Sequence, residues 1–136
     1  MVVRAMLIRA VLILLAAPVA AQAGEGVKYS PAYDRCLAAP AGQSTYGMLT
    51  CGDAEIKAQD ARLNRAYKSD ITDMAENPAA KAALLKAQRA WIAFRDADCA
   101  TVRAVSGGTI ASIYVQACYL DHTARRAEAL EDLLKP

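Results

Sequence analysis

The sequence predicts an all-α domain: a small antiparallel helical bundle of three long helices and a short N-terminal one, stapled by disulfides. Three observations carry this. Aromatic residues are only 6% of the chain, with one Phe and one Trp, while Ala, Leu, Lys, Arg and Glu are abundant; that composition favours helices over strands. Apolar residues recur at helical spacing, one stripe per segment. Three breaks divide the chain into segments of helical length: Pro40-Ala41-Gly42, Asn77-Pro78 and Ser106-Gly107-Gly108-Thr109.

The first 23 residues precede this domain. Arg4 and Arg9 are their only charges, Ala10 to Val19 is an almost unbroken apolar run, and Ala21-Gln22-Ala23 fits the small-residue pattern of a signal-peptidase site. The run is too short to span a bilayer. Residues 1–23 therefore read as a cleavable signal peptide, cut after Ala23, with Val19-Ala20-Ala21 as a second register. Residues 24–136 read as one domain, periplasmic or secreted. The first cysteine is Cys36, so no lipoprotein anchor is expected at the new N-terminus. Losing Arg4 and Arg9 leaves 14 basic and 14 acidic residues. A neutral domain has no electrostatic reason to bind nucleic acid or an anionic membrane.

A short helix is expected near Pro31 to Ala39. The second ends near Glu76 and begins firmly only at Asp53, because Gly47 and Gly52 each cost roughly 1 kcal/mol relative to alanine in a helix. Its stripe is Leu49, Ile56, Leu63, Tyr67, Ile71 and Met74. The third runs from Pro78, a residue suited to a first helical turn, to Val105, with Leu84, Trp91, Ile92 and Val102 on one side. The fourth runs from about Thr109 to Leu134 through Ile110, Ile113, Ala117, Leu120, Ala127 and Leu130. Ser106 and Thr109 are both plausible caps.

Cys36, Cys51, Cys99 and Cys118 are spaced by 15, 48 and 19. In an exported chain an even count reads as disulfides, with three connectivities to choose from. Metal ligation is the rival; without a C-x-x-C, and with His122 as the one histidine, no metal site and no cofactor are expected. In an antiparallel hairpin, residues equidistant from the turn lie opposite each other. Cys99 and Cys118 are centred on the Gly-Gly turn, and Cys36 and Cys51 lie about Pro40-Ala41-Gly42, which selects Cys36–Cys51 and Cys99–Cys118. Each loop closure is worth roughly 3 kcal/mol in the chain-entropy model. The same symmetry about Asn77-Pro78 sets Ile71 against Leu84, Tyr67 against Gln88, Asn64 against Trp91, Asp60 against Arg95 and Ile56 against Cys99. A seam between the second and third helices follows, with a Tyr67–Gln88 hydrogen bond and an Asp60–Arg95 ion pair.

These residues compose a signature: Cys36, Cys51, LNRAY (Leu63 to Tyr67), QRAWIAFRDADC (Gln88 to Cys99), then Cys118 and Thr123-Ala-Arg-Arg126. From Tyr33 to Leu134 the chain resembles the small exported bacterial proteins named for the lysozyme inhibitor LprI. The resemblance implies a helical, disulfide-bonded envelope protein that binds and blocks lysozyme. The chain departs from the founding type in having no lipoprotein cysteine, which favours a soluble form.

Catalysis finds little footing. His122 has Asp121 beside it, but adjacent helical residues do not face each other, so it reads as a surface or partly packed side chain. Neither Ser106 nor Ser112 lies in a nucleophile motif, and Asp96 and Asp98 diverge on a helix. Asp60, Asn64, Tyr67, Gln88, Trp91 and Arg95 read as structural; the competing reading makes Arg95 and Asp96 an exposed recognition pair. A lysozyme cleft is a groove holding two carboxyl groups. The Ser106, Gly107, Gly108, Thr109 turn, small, polar and braced by the neighbouring bridge, is the candidate partner-binding loop; its plain alternative is a helix connector. A neutral charge offers no steering toward a basic lysozyme. The other functional class is an envelope binding or scaffolding module with a different protein partner.

Overall fold

The computed structural model describes residues 26–135. The signal peptide expected over residues 1–23 and its cleavage site lie outside the described residues. Four α-helices follow one another, α1 (Pro31–Ala38), α2 (Thr45–Asp73), α3 (Pro78–Val105) and α4 (Ile110–Asp132), with a 3₁₀ turn at Pro40–Gln43 between α1 and α2. Among the described residues there is no strand. The local chemistry of the starts is clear. The Ser30 hydroxyl accepts from Tyr33 N–H, Ser44 from Gly47 N–H and Asn77 Oδ1 from Ala80 N–H, with Pro31 and Pro78 opening their helices. Thr109 stands at the start of α4 but makes no capping bond, and Ser106 ends α3 instead of starting α4.

Both disulfides are those expected, Cys36–Cys51 and Cys99–Cys118, with Cα–Cα separations of 5.8 and 5.7 Å. The first ties α1 to α2 and the second ties α3 to α4.

Two expectations fail, each for a physical reason. The second helix does not wait for Asp53; it begins at Thr45. Gly47 and Gly52 lie inside it and are buried, because both are places where another segment comes too close for a side chain. A Cβ on Gly47 would overlap the Ala41 carbonyl and stand 2.9 Å from Gly42 Cα, and one on Gly52 would overlap the Gln116 side chain. Packing against the 3₁₀ turn and α4 overrides the propensity penalty.

The α2–α3 seam is the second correction. The most extensive packing is α2 on α4, then α3 on α4. Gln116 Nε2 donates to Leu49 O and to Asp53 Oδ1, while Arg62 meets Glu131 further along. Residue numbers rise together on the two helices, so α4 runs parallel to α2, and α3 runs antiparallel to α4. The short turn after α2 returns the chain, but the returning helix splays and α4 takes the place beside α2. The hydrophobic centre is Leu63, Leu84, Ala127 and Leu130, one or two residues from each long helix, with Tyr67, Ile71, Met74 and Trp91 packed against it. The Asp60–Arg95 ion pair and the Tyr67–Gln88 bond do not form: Arg95 pairs with Asp96, and Gln88 Oε1 accepts from Arg126 Nε.

The α2–α4 contact is also polar. Arg62 grips Glu131 with two bonds, Nε to Oε1 at 2.7 Å and Nη2 to Oε2 at 2.5 Å. The hydrogen bond from Arg62 holds the Glu131 carboxyl below the ordinary glutamate value. A carboxylate with a lowered folded value stabilises the fold fully above its unfolded value, and the contribution is lost as pH falls through the folded one. Both side chains are partly exposed, so about 1 kcal/mol or less is at stake. Arg62→Met is expected to lower the melting temperature slightly at neutral pH, with the deficit closing as pH falls below about 4. Melts of both proteins across pH check this; a deficit independent of pH would assign the loss to packing alone.

Candidate functional site

The α3–α4 hairpin carries most of the distinctive chemistry. At its tip α3 ends at Val105, and Gly108, at φ +66°, makes the reversal in a conformation that costs glycine nothing. Ser106 is half-buried, and Gly107, Gly108 and Thr109 are exposed. Val105 and Ile110 flank the turn at 79% and 45% exposure, and Tyr114, one turn on from Ile110, is 52% exposed. Small backbone-rich residues thus sit between apolar side chains that solvent reaches. Cys99–Cys118 joins the two helices about two turns back from the tip.

Farther from the tip, cross-helix pairs hold the register. Arg95 lies with its guanidinium 4.9 Å from the Trp91 ring centre and 5.3 Å from that of Tyr119, and it donates to Asp96 at 3.0 and 3.1 Å. Its charge is therefore committed to an adjacent carboxylate and two ring faces. His122 Nε2 stands 2.8 Å from Asp98 Oδ2, and Phe94 meets the imidazole edge-on with centroids 5.4 Å apart.

Of the residues the sequence singled out, Trp91 and Tyr67 pack on the hydrophobic centre, Gln88 serves Arg126, Asn64 is exposed, and Asp60 is half-buried. The neighbour in sequence, Asp121, is not the acid that His122 meets; its partner, Asp98, comes from the other helix. The signal was present: Asp98 precedes Cys99 and His122 follows Cys118 by one turn, so the bridge that aligns the cysteines aligns these too.

Arg126, on α4 of the same hairpin, has Asp70 of α2 as its countercharge. Burial lowers its guanidinium below the usual arginine value, and burial raises Asp70 above the usual aspartate value, although each is the other's countercharge. Asp70 Oδ2 and Arg126 Nη2 have no hydrogen-bond partner.

Fold and site together define a small helical protein whose hairpin is clamped by disulfide chemistry and whose free end is an exposed turn. The chain belongs to the family described as lysozyme inhibitor LprI, whose model matches residues 36–130. It is 32% identical over 97 residues to an uncharacterized protein of Rhizobium meliloti (strain 1021), covering 62% of this chain and 70% of that one. No solved structure matches. Among the described residues no helix is long and apolar enough to cross a membrane.

Proposed function

We propose that the chain is exported by its N-terminal leader and acts outside the cytoplasm as a lysozyme inhibitor, seating the α3–α4 tip in the enzyme's cleft. Family membership supplies the partner class. The observation that carries the mode of action is the tip itself: Val105 and Ile110, two exposed apolar side chains, frame a glycine turn braced by Cys99–Cys118. Apolar residues that stand in water on a rigid support lose little entropy on docking, which favours affinity. Ser106 and Thr109 hydroxyls and the turn's backbone amides face the polar needs of a carboxylate-lined groove. The role is one of occlusion, and it asks no catalysis of this chain.

The test is lysis of peptidoglycan by lysozymes of several classes, with and without the purified oxidised protein. Inhibition of at least one class is expected, and Val105→Asp with Ile110→Asp is expected to weaken it tenfold or more, about 1.4 kcal/mol. Absence of inhibition at micromolar excess would reject the lysozyme reading. Inhibition that survives the tip variants would move the contact elsewhere. One observation favours the other class, a module for a different protein partner: Leu85 and Ile92, seven residues apart on α3, are 41% and 40% exposed, an apolar face away from the tip.

A further inference from the structure

The Cys99–Cys118 bridge has company that Cys36–Cys51 lacks. The sulfurs of Cys99 and Cys118 and a ring nitrogen of His122 lie within 4.8 Å of one another, and theirs is the one such cluster among the described residues. Asp98 Oδ2 is 2.8 Å from His122 Nε2 and 4.0 Å from Cys118 Sγ. Each helix supplies two groups: α3 gives Asp98 and Cys99, and α4 gives Cys118 and, one turn on, His122. Phe94, packed edge-on against the imidazole, walls one side. Zinc bonds of about 2.3 Å to sulfur and about 2.0–2.1 Å to nitrogen or oxygen place the ligand atoms of a tetrahedral site about 3.3–3.8 Å apart. Asp98 Oδ2 stands a little short of that range from His122 Nε2 and a little beyond it from Cys118 Sγ, while the two sulfurs, bonded to each other, must part to reach theirs.

We propose that reductive opening of Cys99–Cys118 converts this cluster into a binding site for a thiophilic divalent cation of the zinc class. The ligands are the Cys99 and Cys118 thiolates, the His122 imidazole and the Asp98 carboxylate. In the oxidised protein the two sulfurs are bonded to each other and the site is closed. A dithiol reductant opens it: its thiolate attacks Cys118 Sγ, the half-buried sulfur, and Cys99, fully buried, leaves as thiolate. The reductant's second thiol then resolves the mixed disulfide, so the reductant becomes a disulfide while the bridge gains two electrons and two protons. The cation enters as both thiol protons depart to solvent. The exchange has a structural consequence, because α3 packs chiefly on α4. Reduction removes the covalent tie between them, and the metal restores one at the same place.

The test uses the full oxidised protein and the same protein reduced with a non-chelating phosphine, each titrated with Co²⁺ and back-titrated with Zn²⁺. The reduced protein is expected to take up one Co²⁺ with the visible absorption of tetrahedral thiolate ligation, displaced by Zn²⁺, while the oxidised protein shows none. His122→Ala is expected to weaken binding tenfold or more. Cys99→Ser with Cys118→Ser, which leaves Cys36 and Cys51 in place, is expected to abolish it. Helical content is followed on the same samples. No thiolate–cobalt absorption in the reduced protein would overturn the proposal. So would equal affinity in His122→Ala, or a reduced chain that loses its helices and does not regain them with Zn²⁺, since the preformed geometry would then count for nothing.

Discussion

Gly47→Ala is expected to destabilise the protein by about 1–3 kcal/mol, lowering the melting temperature by roughly 5 °C or more. Helix propensity alone gives the opposite sign, a gain of about 1 kcal/mol for alanine inside a helix. The structure decides the sign because the obstacle is backbone. The added methyl would overlap the Ala41 carbonyl oxygen and press on Gly42 Cα, and these atoms cannot turn aside as the end of a side chain can. Nor can the 3₁₀ turn drift away. It is held between α1 and α2, which Cys36–Cys51 ties together, and it lies so close to α1 that a Cβ on Gly42 would overlap the Cys36 carbonyl. Gly52→Ala is the comparison: its obstacle is the Gln116 side chain, which can swing off at the expense of its bonds to Leu49 O and Asp53. A smaller loss is expected there. Thermal melts of the two variants check this, and a Gly47→Ala protein as stable as the parent would show that the crossing can relax.

That reversal of sign marks where the sequence stops being legible. Helix number, the breaks at Asn77-Pro78 and Gly107-Gly108, and both disulfides follow from local chemistry and from symmetry about a turn. Proline and glycine announce themselves, and a cysteine has few partners to choose from. The α2–α3 seam used the same symmetry and failed. A short turn requires two helices to reverse direction but not to stay together along their length, and α4 competes for the same apolar stripe. Only Cys99–Cys118 enforced register beyond its own turn, which is why α3–α4 contacts such as Gln88–Arg126 straddle Gly107-Gly108 almost symmetrically. The tip loop was visible as a sequence of small residues. Its exposed apolar flanks were not, because Val105 and Ile110 look the same whether a bundle covers them or leaves them out.

The least legible part is polar. Glu55 and Gln59, at 2% and 4% exposure, lie on the buried face of α2 where an apolar stripe would be expected. Their partners come from remote segments, so no spacing rule finds them. Glu55 accepts from Ser30 N–H at 2.7 Å, from the Ser30 hydroxyl and from Gln59 Nε2 at 2.7 Å. Gln59 in turn accepts from Arg62 Nη1 at 3.2 Å, and Arg62 holds Glu131. A polar ladder thus runs along α2 from the start of α1 to the end of α4. Ser30 is its hinge, since its hydroxyl donates to Glu55 while accepting from Tyr33 N–H to cap α1. Burial, followed by the nearby Glu55 charge, raises the Tyr33 phenol above its ordinary value.

Glu55→Ala is therefore expected to cost about 3 kcal/mol or more, the largest loss of any single polar change. Hydrogen bonds to a charged group are worth about 1.5–3 kcal/mol each, and removing the acceptor also leaves the Ser30 and Gln59 donors without a partner. Glu55→Gln keeps the volume and one acceptor and should lose less. Because Ser30 receives the carboxylate's hold and passes it to α1, Ser30→Ala and Glu55→Ala should be non-additive, with a coupling of about 0.5–3 kcal/mol. The residues ahead of α1 should loosen together with it, since Lys28 N–H donates to Glu128 and Lys28 O accepts from Gln59. Denaturant melts of the two single variants and the double variant measure the coupling, and protease cleavage ahead of Pro31 reports the loosening. Additive losses with an unchanged cleavage pattern would show that Glu55 is held by α2 alone and that α1 docks without it.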